Sequence, residues 1–265
     1  MIILKTSEEI EHIRKACLIT ASVFEAVKPW IKPGVSTGQL NRVVDETIRS
    51  QGATPSFLGY GEPPFPGAAC ISINEEVVHG IPSDKVILQD GDIVSVDVGS
   101  YLNGYHSDAC RTFLCGNVSE EVKDLVRVTE ESFWKAMEFA YPGKRLGDMS
   151  HAVQSHCEAH GYGIIRELSG HGIGQDLHED PEILNYGKPG KGIRLESGMV
   201  LCLEPMVTLG SRQIMLTEDE WTIVTRDGKP ASHYENTFVV TDDGPEILTC
   251  PERPRLKLRG HLICG

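Results

Sequence analysis

The segment PGVSTGQL at residues 33–40 returns as PGKRLGDM at residues 142–149, and what surrounds each copy returns with it in the same order. Before the first copy, Thr6-Ser7-Glu8-Glu9 has the form of a capping box, and Ile10, Ile13, Cys17, Phe24 and Val27 space an apolar helix face. After it, Leu40, Val43, Val44 and Ile48 space a second helix that stops at Gly52. Before the second copy, Ser119 opens a helix carrying Val122, Leu125, Val126, Phe133 and Met137. After it, Met149, Ala152, Val153 and Cys157 mark another, which stops at Gly161. The echo continues downstream: VVHGIP in DLHEDP, GDIVSVDVG in GMVLCLEPM, and HSDACRTF in HYENTFVV. Each match is weak alone, but their shared order points to a duplicated unit and a pseudo-two-fold axis between copies. The expectation is an α/β (α+β) domain over residues 1–250, with halves at about 6–116 and 117–250 and a tail at 251–265. No Ser/Gly/Pro-rich linker divides the halves.

The repeat pairs acids. It lays Asp97 over Glu204 and Asp108 over Glu235, and it matches His79 to His178, each three residues before a proline. Asn103-Gly104 is a strong two-residue hairpin signal, which sets Leu102 opposite Tyr105, Gly99 opposite Asp108 and Asp97 opposite Cys110. Asp97 and Asp108 then share a face as diagonal neighbours; a turn one residue longer would undo that assignment. A two-fold axis would gather four carboxylates. Like charges 4 Å apart repel by about 4 kcal/mol at an effective dielectric near 20. Either most of the four protonate or cations hold them, and two divalent ions balance the charge where one does not. His171 in GHGIG has no partner in the first half and is a candidate fifth ligand. Paired metals about 3.5–4 Å apart acidify a shared water and polarise a carbonyl, which is hydrolytic equipment. Singly, each residue has a plainer reading as a turn acid, strand end or loop histidine; the mirrored set argues against that.

Bulk properties narrow the classes. A net charge of −13 disfavours a nucleic-acid binder. The basic run RPRLKLRG, with Arg253, Arg255, Lys257 and Arg259, reads as a solvated tail. The apolar start Met1-Ile2-Ile3-Leu4 is too short for a signal sequence or membrane span. Eight cysteines without a CxxC pair read as free thiols, and the expected location is cytoplasmic.

VVHGIP, VSVDVG, YHSDACRTF, ELSGHGIGQDLHEDP, LCLEPM and HYENTFVVTDDGPEILT together resemble type I methionine aminopeptidase, over roughly residues 6–249. The resemblance implies the pita-bread fold, with two halves around a dinuclear site of cobalt, manganese, iron or zinc. Asp97, Asp108, His171, Glu204 and Glu235 become the metal ligands, and His79 and His178 contact the substrate. The implied reaction removes the N-terminal methionine of nascent proteins and peptides whose second residue is small, by attack of a metal-bridging hydroxide. Glu204 would also act as general base, His178 would serve the oxyanion and His79 the scissile amide. Tyr60, Phe65, Cys70 and Trp221 would line the methionine pocket. The expected protein is monomeric, with nascent chains as partners, the ribosome as a further candidate, and neither nucleic acid nor membrane.

The chain departs from the family pattern in two places. GYGEPPFP is two residues longer than the usual GYxGFP-like run, which leaves the rim at Tyr60, Glu62 and Phe65 open to change, and Asn236 stands where many members have His. Two rivals compete: an Xaa-Pro aminopeptidase or dipeptidase of the same fold, whose relatives carry an additional N-terminal domain, and a metal-free binding protein on the same shell.

Overall fold

Thr6 and Glu9 close the capping box: the Thr6 hydroxyl accepts from the Glu9 N–H, and the Glu9 carboxylate accepts from the Thr6 N–H at 2.8 Å. This starts helix α1 (Ser7–Val27). Helix α2 (Thr37–Ser50) starts on the Ser36 side chain, α3 (Glu120–Met137) starts on that of Ser119, and α4 (Leu146–Ala159) follows. The duplication is visible in the backbone. Gly34 and Gly143 precede the second helix of each half at φ +90° and +91°, while Gly52 and Gly161 follow it at +80° and +81°. These left-handed conformations suit glycine and would strain most other residues. All four helices fall where the apolar spacing puts them. The computed structural model describes residues 1–253 and the backbone of the short strands Leu256–Lys257 and His261–Leu262.

The helices cover one curved, wholly antiparallel sheet of nine strands. At its centre Tyr105–Leu114 lies beside Glu235–Thr241. Moving outward on one side come Ile93–Leu102 and then Cys70–Ile73; on the other come Val200–Leu203 and then Ser169–Gly172. This palindromic order is the pita-bread arrangement, with the axis between the two central strands. The hairpin register is the one that Asn103-Gly104 requires, Leu102 opposite Tyr105, Gly99 opposite Asp108 and Asp97 opposite Cys110, with Asn103 at φ +52° and Gly104 at +89°. Each half has its own apolar core. Ile19, Val23, Leu40, Val44 and Ile48 pack on Val94, Val96 and Val98 in the first; Leu125, Phe133, Met149 and Val153 pack on Leu201, Leu203 and Phe238 in the second.

The halves are joined along a polar seam. The Asp108 N–H donates to Thr237 Oγ1 at 3.1 Å, and that hydroxyl donates back to the Asp108 carbonyl at 2.7 Å. Arg111, its guanidinium between the rings of Phe24 and Tyr234, donates to the Glu235 carbonyl at 2.5 Å and to Asn236 Oδ1 at 2.6 Å. A second joint lies at the N-terminus, where the buried Lys5 ammonium pairs with the Glu179 carboxylate and the Lys5 N–H donates to the Gly198 carbonyl. Two small three-stranded sheets are additions the repeat does not foretell. One joins Gly163–Ile164, Met206–Thr208 and Ala231–His233; the other joins Glu76–Val78, Ile214–Leu216 and Ile223–Thr225. Cys264 apart, which lies outside the described residues, the cysteines are free and buried, as their spacing suggests. In the basic tail, Arg253 lays its guanidinium over the Trp134 ring; Arg255 and Arg259 lie outside the described residues.

Candidate active site

Strand register builds the site. Cys70, Asp97, Cys110 and Glu235 stand opposite one another on four adjacent strands, so a single rung carries one acid from each half. Two residues further along, His171 stands opposite Cys202, and Cys202 opposite Thr237, the residue whose hydroxyl clasps the Asp108 backbone. Glu204 follows directly on Val200–Leu203, its carbonyl held by Asn185 Nδ2 at 2.9 Å. All five expected ligands therefore converge. Carboxylate oxygens of Asp97, Asp108 and Glu235 come within 4.8 Å of one another, and Glu235 also meets His171 within that distance. His171 Nε2 lies 3.7 Å from Glu204 Oε1 and 3.9 Å from Asp108 Oδ2.

The protein alone solvates this group poorly. Asp97 Oδ1, Asp108 Oδ1 and Glu235 Oε1 are buried without a hydrogen-bond partner, and such orphaned groups each cost about 1–3 kcal/mol, more when charged. Burial pushes the Asp97 carboxyl up to about 7. Burial and the neighbouring carboxylates push Asp108, Glu204 and Glu235 well above the usual range. Burial also lowers His171 to about 3, keeping its ring neutral. Its Nδ1–H donates to the Gly172 carbonyl at 2.8 Å, which leaves the Nε2 lone pair facing Glu204 and Asp108. Oxygen-rich donors with one oriented imidazole and unanswered negative charge fit a divalent cation. Cys202 Sγ lies within reach of His171 and Glu235 as well. Burial and the charges of Glu235 and Asp108 hold that thiol protonated, so it is the weaker donor of the group.

The acids form the floor of a cavity of about 270 Å³. Its walls include Tyr60, Phe65, Cys70 and Trp221, together with His79 and His178. Phe65 meets Trp221 edge to face at 5.2 Å, and His79 meets Trp221 at 5.9 Å. His79 holds a left-handed backbone conformation, φ +60°, uncommon outside glycine. Burial lowers His79 to about 4 and lowers His178 too, so both are neutral N–H donors near pH 7. Tyr60 Oη lies 2.5 Å from His178 Nδ1, and the His171 and His178 rings stack edge to face at 4.4 Å. Glu62 is exposed and takes no part in the wall.

The model of metallopeptidase family M24 matches residues 11–242. The chain belongs to family M24. Its relatives there include methionine aminopeptidases. That of Clostridium acetobutylicum is 50% identical over 252 residues, covering 95% of this chain and all of the relative. Methionine aminopeptidase 1 of Bacillus subtilis is 50% identical over 249 residues, covering 94% and 99%. The crystal structure of methionine aminopeptidase from Thermotoga maritima superposes with a TM-score of 0.92 at 44% identity, covering 94% and 99%. A prolidase from Pyrococcus furiosus shares the M24 fold at a TM-score of 0.76 and 28% identity. There the match takes in 93% of this chain but only 65% of the prolidase.

Both departures from the M24 aminopeptidase pattern are accommodated locally. Asn236 accepts from Arg111 and from the Thr249 hydroxyl at 2.9 Å, so it braces the Glu235 strand without entering the ligand group. At the GYGEPPFP rim Tyr60 meets His178, and Trp221 donates to the Pro63 carbonyl at 3.1 Å. Sequence reasoning missed several residues. Phe57 and Leu177 line the cavity, and neither carries a polar signal in the sequence. His233 is fully buried with Nε2 3.6 Å from Glu204 Oε2 and 4.0 Å from Glu235 Oε2. Its spacing of two from Glu235 was the available clue, since alternate residues of extended chain share a side.

Proposed function

We propose that this protein is a cytoplasmic metalloaminopeptidase that removes N-terminal methionine from peptides and nascent chains whose second residue is small. The observation that carries the reading is the convergence of four acids and His171 at the floor of an apolar-walled cavity; the identity to methionine aminopeptidases selects the substrate. Asp97, Asp108, His171, Glu204 and Glu235 would hold two divalent ions, with Glu235 common to the two clusters of close donor atoms. When bound, such ions supply Lewis acidity and a water acidic enough to lose its proton near neutral pH.

The side chains do the rest. Glu204 accepts the water's proton on a carboxylate oxygen and returns it to the departing amide nitrogen, the role of a general base turned acid. Neutral His178 donates to the oxygen of the attacked carbonyl as charge develops there, and His79 donates near the scissile amide. Phe65, Cys70 and Trp221 give an apolar, polarizable wall suited to an unbranched thioether. The His79 and His178 loops crowd the space beyond the scissile bond and exclude a large second residue. Residues 1–250 act as one catalytic unit, working as a monomer on nascent chains near the ribosome, with no nucleic-acid or membrane partner. Among the described residues, no helix is long and apolar enough to cross a membrane.

Metal-stripped protein titrated with manganese or cobalt, then offered Met-Ala-Ser, Met-Leu-Ser and Leu-Pro-Ala, tests the reading. Rapid metal-dependent cleavage of the first alone is expected. Preference for Leu-Pro-Ala would transfer the case to the Xaa-Pro reading, and full activity without metal would end both.

A further inference from the structure

We propose that His233 is a positioning residue for Glu204, donating its Nε2–H to Oε2 and thereby reserving Oε1 for the side of His171. The inference rests on Glu204 belonging to the metal-holding group, and it assigns work to a side chain outside that group.

Four observations carry it. His233 is 1% exposed, and its Nε2 is buried with no partner. That nitrogen faces two carboxylates, with Glu204 Oε2 nearer at 3.6 Å and Glu235 Oε2 at 4.0 Å. The Glu204 carboxylate thus stands between two imidazoles, one oxygen turned to each, because Oε1 lies 3.7 Å from His171 Nε2. Finally, the His233 backbone is fixed independently of its ring. The strand pairing sets it opposite Met206, its N–H donates to Thr112 Oγ1 at 3.2 Å, and its carbonyl accepts from that hydroxyl at 2.8 Å.

A shift of well under 1 Å brings Nε2 and Oε2 to hydrogen-bond distance, and Glu204 is already anchored by Asn185 on its carbonyl. A carboxylate that must ligate through one oxygen and move a proton gains from having its two oxygens distinguished. Partners that orient ligands in this way are typically worth 10- to 100-fold in metal affinity or activity.

The test compares His233→Leu, which keeps bulk and removes the donor, with His233→Gln, whose amide N–H can replace it. Manganese affinity is measured by calorimetry, kcat and KM on Met-Ala-Ser at saturating metal, and the His233 ring nitrogens by ¹⁵N NMR in manganese-free, zinc-loaded protein. The expected result is a 10- to 100-fold loss in manganese affinity or kcat for His233→Leu with KM little changed. His233→Gln should stay within about fivefold of the parent, and the parent spectrum should show a protonated Nε2. The last measurement stands even if His233→Leu does not fold. Parent-like affinity and kcat in His233→Leu, equal damage in both variants, or an unprotonated Nε2 would each overturn the proposal. A parent protein that binds no metal would instead overturn the functional reading beneath it.

Discussion

The first half places its two acids on one hairpin, closed by a two-residue turn, with Asp97 and Asp108 fixed by pairings two residues apart. The second half places Glu204 and Glu235 on neighbouring strands, but the chain between them leaves to build parts of both small sheets. His171 sits on a further strand, Ser169–Gly172, and His178 and His233 also belong to this half. The scaffold is symmetric and the site is not. On the proposed reading, the matched carboxylates would neutralise cations, whereas the groups that would orient, donate and move protons lie mainly on one side. His79 is the first half's contribution to that second task.

This division of labour can be broken most sharply at matched positions. Glu204→Gln is expected to lower kcat by about 10²–10⁴ even at saturating metal, because it removes a proton acceptor as well as a charge. Asp97→Asn, its counterpart, should lose activity mainly through metal affinity and recover much of it in excess manganese. Equal recovery of the two in a metal titration of kcat would show that the halves are chemically equivalent after all.

The joints between halves come next. Lys5→Met leaves the Glu179 carboxylate buried without its cation and should cost about 3–5 kcal/mol in urea unfolding; the double variant Lys5→Met/Glu179→Leu should regain most of it. Loss of under 1 kcal/mol in the single variant would mean that the halves close without this pair. Thr237→Val keeps shape but orphans the Asp108 N–H, with an expected cost of about 1–3 kcal/mol by the same measurement. The smallest effect is at the rim. Tyr60→Phe removes the hydroxyl beside His178 and should reduce kcat/KM by roughly 2- to 10-fold, the span of one net hydrogen bond. An unchanged value would separate the lengthened rim from the chemistry.

What could be read from the chain beforehand follows from locality. Capping residues, apolar spacing and Asn103-Gly104 act over a few residues, so four helices and the hairpin register were legible. Glu204 and Glu235 were legible only through the repeat, because nothing local marks either as an active-site acid. His233 and Asn185 escaped for the opposite reason. The echo lays His233 over His106 but marks neither as a site residue, Asn185 lies outside the echoed segments, and the partners of both come from distant parts of the chain. The pocket wall was legible in part: Phe65, Cys70 and Trp221 came from the resemblance, while Phe57 and Leu177 carry no sign beyond being apolar.

Lys5 has a consequence for the order of events in synthesis. It is made well before either of its anchors, Glu179 and Gly198, which lie far downstream. At about 5–20 residues per second, roughly ten to forty seconds pass before those anchors exist. Until then the segment that carries His178 has no N-terminal clasp, so a growing chain of this protein reaches its mature form only after both halves have been made.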